Sequence, residues 1–497
     1  MLEMMMPLRQ WFTPQRVTLL GSLILSLVAY MGAVTITKDG ALYADIARTI
    51  TDDGLSAGAA RFNWVGFSLL LSVVHQLTGL SIEAVAYLSG ALFVAGACAL
   101  LVDIIARYKL KAAWWGVLVV LSIPAFNTFR GDVIREHGFW FFSVLALWLA
   151  LDWQVRGGFW RGQLVHAAIA MAIFFRLEAL VLEAALVLWL APGLRSREGA
   201  RKFIGFFGGP LLLGIALLLL VLASDLLLRK RLDHYLGMLN PMQIQQDFQA
   251  LSQQFADSLK RKYSRDDAGV IILFGLIGLI LISFIKLLGP FAVTLFTRAG
   301  RQQGVAALPN FRLFALTFGI YALVLLLFFF HMQFINSRYL RFLNLLAVPL
   351  VAVMTYGFAV RPPKWSRVLF VLATLMMLDN VISLSAKKTH FIEAGEWLAE
   401  HHTSEGVLFF GDGRIRYYAG WGYLKTPQPA KLLKLESTKI NSAKIIVIEA
   451  EPDEKWLIDW LEREGLVQIA AFSNRKGESV QIVGHKSQLQ WMDEQEP

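Results

Sequence analysis

The stretch KDGALYADIA, Lys38 to Ala47, follows directly on an apolar run from Val17 to Thr37. Because that run is long enough to cross a bilayer, Asp39 would lie where a membrane helix meets water, an expensive place for a carboxylate. About ten residues of helical pattern follow, which predicts a helix lying along the membrane surface. Two roles for Asp39 are compatible with this pattern: capping the surface helix, as Asp often does, and chemistry at the membrane boundary.

Composition decides the class of protein. Of 497 residues, 56% are hydrophobic, with 15 Trp and 35 Phe, and the mean hydropathy is +0.54. This much apolar surface, in repeated runs of membrane-spanning length, predicts a polytopic α-helical membrane protein. The net charge of +10 lies largely in short loops between apolar runs, where membrane orientation and lipid headgroups account for it, so we expect no nucleic-acid partner. The single cysteine, Cys98, excludes a disulfide framework.

Loop charges set the predicted topology. Arg9 and Arg16 precede the first apolar run and place the N-terminus in the cytoplasm, with Asp39 on the opposite face. If Phe62 to Thr78 lies flat as a second surface helix, every strongly basic short loop is cytoplasmic, whereas a crossing would invert them all. The predicted spans are then 17–37, 82–106, 112–129, 138–155, 163–176, 178–192, 203–224, 269–288, 310–330, 340–360 and 366–385.

Two domains follow from this pattern. Residues 1–386 form the membrane domain, which includes a first outer loop over 38–80 with its surface helices and a second outer loop over 225–268. That second loop is either a lid over a cavity or a passive pair of surface helices. Residues 387–497 are predicted to form a small periplasmic α/β domain: a helix over 392–401, strands at 407–410 and 445–449, a helix over 454–464, and a strand pair closing at Lys476-Gly477.

Ionisable residues collect at the predicted outer ends of different spans. A helical bundle would bring several of them round one cavity, where two carboxylates could serve as general base and as electrostatic partner or metal ligand. Arginines at the same level suit phosphate, because the guanidinium group binds its oxygens bidentately. The alternative is that these side chains only reach lipid headgroups and pair with one another. The set is Asp39, Arg135, Glu136, His137, Arg176, Glu178, His331, Arg338 and Arg341.

The segment KDGALYADIAR resembles the first outer loop of the C-type (GT-C) glycosyltransferases, in the branch of the lipid A aminoarabinose transferases and protein O-mannosyltransferases. In that family an Asp precedes a Tyr-Ala-x-Ile-Ala-like helix, a pattern matched by Asp39, Tyr43, Ala44, Ile46 and Arg48. Three further segments resemble later parts of the family in the same order: GDVIREHGFWFF, FFRLEALV and NSRYLRFLNLLAVPL. The stretch EAGEWLAEHHTSEGVLFFGDGRIRYYAGWG is similar to the family's outer α/β domain. Gly40 and Leu42 depart from the pattern, since relatives often carry an acidic and a basic residue there, and this leaves the donor sugar open.

The resemblance implies a multi-pass enzyme of the bacterial inner membrane that takes a hexose or pentose from a polyprenyl (undecaprenyl) phosphate. The acceptor would be a lipid, glycan or protein on the outer face, and the displacement would be inverting. Asp39 would be the catalytic base and Glu136 the second carboxylate, with a divalent metal between them as an open alternative. The donor phosphate would be bound by Arg338, Arg341 and Arg135, or less directly by Arg229, Lys230 and Arg231. The remaining candidates, expected to bind substrate or support the site, are Tyr43, His137, Arg176, Glu178 and Tyr339.

Two other functions fit part of the pattern. A transporter or flippase of a lipid-linked glycan also needs arginines in a cavity, but it predicts ionisable residues near mid-span and broken helices in two related halves. A glycan polymerase or ligase with a diphosphate-linked donor predicts a larger outer loop between late spans and no loop of the Asp39 type.

Overall fold

The computed structural model describes residues 12–223, 240–334, 336–360, 363–383 and 385–486. Arg9 and the run Arg229-Lys230-Arg231 lie outside the described residues, as does most of the first half of the predicted lid loop. The chain divides into two units. The first unit comprises residues 1–27, 91–130 and 135–381, and the second comprises residues 28–90, 131–134 and 382–497. The predicted domain boundary at residue 386 stays a prediction.

Helices dominate both units. In chain order they are α1 Pro14–Gly32, α2 Lys38–Asp53, α3 Leu55–Arg61, α4 Gly66–Thr78, α5 Ile82–Tyr108, α6 Leu110–Ser122, α7 Pro124–Asn127, α8 Glu136–Arg156, α9 Phe159–Phe175, α10 Leu180–Leu190, α11 Arg197–Ala223, α12 Pro241–Ser258, α13 Lys262–Asp266, α14 Ala268–Leu287, α15 Val293–Phe296, α16 Arg298–Ala307, α17 Arg312–Met332, α18 Ser337–Ala359, α19 Pro363–Asp379, α20 His390–His401, α21 Arg414–Tyr418, α22 Ser437–Asn441 and α23 Lys455–Glu464. Short 3₁₀ helices lie at Leu177–Ala179, Ala191–Arg195, Gly289–Ala292 and Pro429–Lys434.

The polytopic helical class is confirmed. Within the described ranges, seven helical segments are long and apolar enough to cross a membrane: Pro14–Gly32, Ile82–Tyr108, Glu136–Arg156, Leu177–Arg195, Ala268–Leu287, Arg312–Met332 and Ser337–Ala359. The other four predicted spans are also helical, as α6 with α7, α9, α11 and α19. Helix α4 has 13 residues, or about 20 Å, and a bilayer core is roughly 30 Å thick, so its length agrees with a surface helix.

In the first unit, helices α8 and α9 pack closely at one glycine. A Cβ added to Gly138 would lie 2.3 Å from the Phe175 ring, so only glycine allows this approach. The Phe175 ring also contacts Phe93 at 5.5 Å and Phe142 at 5.8 Å between ring centroids. Phe175 is immediately followed by Arg176, so this aromatic packing fixes where that arginine leaves the helix.

The second unit contains a four-stranded sheet, as the sequence predicts. Its strands are β1 Val407–Phe410, β2 Ile445–Glu449, β3 Leu466–Ser473 and β4 Ser479–His485, in the order β1-β2-β4-β3. Strand β1 pairs parallel to β2, and the other pairs are antiparallel. Helix α23 packs on one face, around Trp460, and α20 on the other, around Phe391. The small C-terminal α/β domain is therefore confirmed in its helices, strands and closing hairpin.

Candidate active site

Helix α2 carries the predicted catalytic base, and its first turn differs from one sequence interpretation. The N-cap residue is Thr37, whose hydroxyl accepts a hydrogen bond from the Gly40 amide at 3.2 Å. The alternative in which Asp39 caps this helix is therefore wrong. Asp39 occupies the second helical position, where a carboxylate is still favoured by the positive end of the helix dipole.

Gly40 explains one departure from the family pattern. A Cβ at this position would lie 2.8 Å from Ile36 Cγ1 and 2.8 Å from Val133 Cβ. Real side chains do not approach this closely, so the packing at the start of α2 leaves no room for an acidic side chain at position 40. A second carboxylate at this site must therefore come from another segment.

Asp39 lines a cleft of about 560 Å³ in the second unit. The other charged side chains on its wall are Lys38, Arg61 and Lys425, so three cations face one carboxylate. Leu42, the second departure from the family pattern, also lines this cleft, as does Tyr423. Burial raises the pKa of the Tyr423 hydroxyl, and the Asp412 and Asp39 carboxylates raise it further. A cleft with an excess of positive charge favours an anionic ligand.

The wall opposite α2 is held by Asp412 and Arg414. Arg414 donates to both carboxylate oxygens of Asp412, at 3.0 and 2.8 Å, and to the Ile36 carbonyl at 3.1 Å. Lys38 forms an ion pair with the same carboxylate at 3.2 Å. Although burial alone would raise the pKa of the Asp412 carboxyl, Arg414 holds that pKa below its usual range. These contacts fix the start of α2, and hence Asp39, against the segment 411–428.

Arg61, on the wall of the cleft, forms an ion pair with the buried carboxylate of Asp45. Asp45 is 6% exposed and pairs with Arg61. It also accepts a hydrogen bond from the Tyr423 amide at 2.8 Å, while Arg61 donates to the Tyr423 carbonyl at 3.0 Å. A Cβ on Gly422 would lie 3.0 Å from the Asp45 carboxylate, and the φ of this glycine is +75°. Sequence analysis missed Asp45 and Arg61; the available signal was a basic residue directly before the second surface helix.

Tyr43 also lies on α2, but it does not line the Asp39 cleft. Its side chain is 6% exposed, and its ring packs edge-on against Phe62 at 5.9 Å and Phe67 at 5.5 Å. The Tyr43 carbonyl accepts a hydrogen bond from the Ser68 hydroxyl at 2.9 Å. These contacts join the two surface helices α2 and α4, which agrees with a supporting position for Tyr43.

In the first unit, the predicted residues Glu136, Arg176 and Glu178 form one cluster. Arg176 donates to Glu136 at 2.6 Å and to Glu178 at 2.5 Å, and it is 3% exposed. The Tyr339 ring lies 4.8 Å from the guanidinium carbon, and the Phe139 ring lies 5.9 Å from it. Four candidates from three predicted outer segments are thus brought together, with two carboxylates on a single arginine.

Two of the three predicted phosphate-binding arginines, Arg338 and Arg341, meet at the Phe129 ring. Arg341 lies over this ring at 4.0 Å and donates to the carbonyls of Pro124 and Ala125, at 3.1 and 2.7 Å. Arg338 lies over the same ring at 5.7 Å. Arg135 occupies the N-cap position of α8, and His137 is buried with its ring 5.5 Å from Trp140. These residues, like the Arg176 cluster, belong to the first unit, whereas Asp39 belongs to the second.

The second half of the predicted lid loop is an amphipathic helix, α12. Asp247 on this helix pairs with His331 at 2.7 Å, and the hydrogen bond from His331 lowers the pKa of the Asp247 carboxyl. Phe248 packs on Phe330 at 4.9 Å between ring centroids. Both partners lie at the end of α17, which places α12 on the predicted outer end of that span. His331, expected in the outer cluster, contacts this helix.

A metal site needs several convergent ligands. No group of three or more His, Cys, Asp or Glu side chains within the described ranges is arranged to hold a metal ion. A divalent ion between Asp39 and Glu136 stays an expectation from the sequence.

Comparisons with known proteins address the fold. No protein-family model matches the sequence, and no curated protein matches it. The crystal structure of ArnT from Cupriavidus metallidurans in the apo state matches with a TM-score of 0.58 and 14% sequence identity, over 94% of this chain and 98% of ArnT. The crystal structure of ArnT from Cupriavidus metallidurans bound to undecaprenyl phosphate matches with a TM-score of 0.57 and 14% identity, over 95% of this chain and 98% of ArnT. The chain therefore has the GT-C fold of ArnT over nearly its whole length.

Proposed function

We propose that this chain is a membrane glycosyltransferase that takes a sugar from undecaprenyl phosphate and passes it to an acceptor on the outer face of the bacterial inner membrane. One observation carries the proposal: within a fold shared with ArnT, whose structure has been solved with undecaprenyl phosphate bound, Asp39 lines a cleft together with Lys38, Arg61 and Lys425. In this topology the N-terminus is cytoplasmic, and Asp39 and the C-terminal domain are periplasmic.

The proposed reaction is an inverting displacement at the anomeric carbon. The Asp39 carboxylate accepts the proton of the acceptor hydroxyl while that oxygen forms the new bond to the anomeric carbon. The bond from the anomeric carbon to the phosphate oxygen breaks, and undecaprenyl phosphate leaves with the electron pair. Lys38, Arg61 and Lys425 stabilise the charge that develops on the leaving phosphate.

The cluster in the first unit has a different proposed role. Glu136 stays the candidate for the second carboxylate, but its close pair with Arg176 favours holding charge in place over accepting a proton. We assign Arg176, Glu178 and Tyr339 to the support of that carboxylate. Arg338, Arg341 and Arg135 remain candidates for contacts to the donor phosphate or its lipid, and His137 for support.

Mass spectrometry of cell-envelope glycans tests the proposal. Lipid A, O-chain and surface glycoproteins are compared between cells that carry the gene and cells that lack it, with a plasmid copy to restore it. The expected result is the loss of one defined sugar from one acceptor, which identifies both substrates. Loss of an entire glycan, with its lipid-linked precursor accumulating on the cytoplasmic face, would contradict the transferase and support a flippase.

A further inference from the structure

A second cavity in the second unit lies beside the Asp39 cleft and is unused by the proposed reaction. Its volume is about 580 Å³, within the range of small-molecule sites. We name it the tyrosine pocket, since it is lined by Tyr30, Tyr87, Tyr417, Tyr418, Arg48 and Glu83. Four tyrosine rings around one cavity indicate a binding site rather than an ordinary part of the surface.

The rings come in two pairs joined by a polar network. Tyr30 and Tyr87 have their centroids 4.7 Å apart, and those of Tyr417 and Tyr418 are 5.5 Å apart. Glu83 accepts hydrogen bonds from Arg48 and from the Tyr417 hydroxyl. Arg48 also donates to the Tyr417 hydroxyl at 3.2 Å, and its guanidinium carbon lies 4.9 Å from that ring. Aromatic rings and hydrogen-bonded polar groups therefore line the same cavity.

The charged side chains of Arg48 and Glu83 can both form further hydrogen bonds to a ligand. The side chains of Arg48 and Glu83 are 41% and 31% exposed. Every hydrogen bond that Arg48 makes within the described part of the chain uses Nη2, which leaves the N–H groups on Nε and Nη1 for a ligand. A ligand with hydroxyl groups could accept from these donors and donate to Glu83.

Charge separates this pocket from the Asp39 cleft. Arg48 is neutralised by Glu83, and Asp45, which also lines the pocket, is neutralised by Arg61. The tyrosine pocket therefore has no surplus positive charge for a phosphate. The Asp39 cleft keeps one positive charge once its ion pairs are included, because four cations stand against three carboxylates: Lys38, Arg61, Lys425 and Arg414 against Asp39, Asp45 and Asp412. The chemistry of this lining suits a neutral sugar, whose C–H face can pack on aromatic rings and whose hydroxyl groups can hydrogen-bond to a carboxylate and a guanidinium.

We propose that the tyrosine pocket binds an uncharged sugar residue of the acceptor glycan. This inference rests on the proposed transferase function and narrows its acceptor to a glycan with neutral sugars. The Asp45–Arg61 pair lies between the two cavities, because Asp45 lines the pocket and Arg61 lines the cleft. Along α2, Asp39 and Arg48 are about 13 Å apart, so the bound sugar is an inner residue of the acceptor and not the one that reacts.

Sugar binding to the full-length protein in detergent tests this inference by saturation-transfer NMR. The probes are the methyl glycosides of glucose, galactose, mannose and N-acetylglucosamine, with glucose 6-phosphate and glucuronate as charged comparisons. At least one neutral glycoside is expected to bind, and Tyr30→Ala or Tyr87→Ala should weaken it about 2- to 12-fold, the loss of one aromatic contact. Tyr263→Ala, which removes a ring that is 85% exposed elsewhere in the chain, is the matched control and should bind as the parent does.

Three results would overturn the inference. The first is that no neutral glycoside binds. The second is that the charged sugars bind more strongly than the neutral glycosides. The third is that the tyrosine variants bind the glycoside as well as the Tyr263→Ala control does. Thermal midpoints of all variants separate lost binding from lost folding. Binding of undecaprenyl phosphate, measured in parallel, should be unchanged in the tyrosine variants; if no version binds it, the proposed donor fails while the glycoside result still decides what the pocket holds.

Discussion

The Thr37 hydroxyl accepts a hydrogen bond from the Gly40 amide at 3.2 Å, and this contact assigns the capping of α2 to Thr37. Asp39 is therefore not needed to satisfy the helix end, and its carboxylate lines the cleft that also contains Lys38 and Arg61. Since capping is done by Thr37, chemistry at the predicted membrane boundary remains the other role that the sequence predicts for Asp39.

The substitution Asp39→Asn is expected to abolish sugar transfer. An amide cannot accept the proton of the acceptor hydroxyl, and loss of a general base typically costs about 10²–10⁴-fold in rate. Folding and undecaprenyl-phosphate binding should be largely retained, since Thr37 caps the helix and the cations of the cleft remain. Transfer is measured with the purified protein and its lipid-linked donor, once mass spectrometry has identified the sugar.

Asp53→Asn is the control for this substitution. Asp53 is an exposed carboxylate at the last position of the same helix, so its loss removes equal charge without touching the cleft. Full activity is expected. Full turnover by Asp39→Asn would remove Asp39 from the mechanism.

Gly40→Ala is expected to destabilise the protein. The added Cβ would overlap Ile36 and Val133, and overpacking of this kind typically costs about 1–3 kcal/mol. Gly40→Glu, which adds a longer side chain at the same place, should cost more. Gly205→Ala is the matched control, because nothing lies within 4 Å of its added Cβ, and it should raise stability by roughly 0.5–1 kcal/mol. Thermal unfolding in one detergent compares all three, and a Gly40→Ala midpoint equal to the parent's would show that the helix start can relax.

Much of the fold could be predicted from the sequence because local signals specify it. Apolar runs of membrane length mark the spans, and alternating apolar residues around Lys476-Gly477 mark the hairpin of β3 and β4. The cap at Thr37 was not predicted, because this threonine ends an apolar run and looks like the last residue of the membrane span. The pair Asp45–Arg61 was missed for a different reason: it depends on the chain reversal through α3 and on the backbone of Tyr423, which is far away in sequence.

The cluster of Glu136, Arg176 and Glu178 in the first unit could be predicted from the sequence for a physical reason. The motifs Arg135-Glu136-His137 and Arg176-Leu177-Glu178 place charges at the predicted ends of spans, where an unpaired charge is costly, so pairing between segments is expected. Sequence alone did not indicate which arginine would pair with which glutamate. That choice depends on the packing of Phe175 against Gly138, which positions Arg176.

Arg176→Met is expected to destabilise the protein strongly. It leaves Glu136, whose side chain is 7% exposed, without its partner, and breaking a buried pair in this way typically costs about 3–5 kcal/mol. The double variant Arg176→Met/Glu136→Gln should recover part of this loss, and a double-mutant cycle measures the coupling. Lys202→Met breaks an exposed pair with Glu198 and should change stability little. Additive single effects at Arg176 and Glu136 would argue against a coupled pair.

The stability of the second unit is expected to fall in mild acid because of His390. Burial, with Lys388 and Arg414 nearby, lowers the pKa of His390 below its usual value against the opposing effect of Glu478 and Glu393. The folded state therefore resists protonation, so stability is complete above the unfolded pKa of about 6.5 and decreases as pH falls toward the folded pKa. His390→Leu should reduce the fall in thermal midpoint between about pH 7 and 5, without removing it, since burial also lowers the pKa of His402. His401→Gln, at the exposed end of the same helix, should keep the parent's profile; an unchanged profile for His390→Leu would show that another group controls the acid sensitivity.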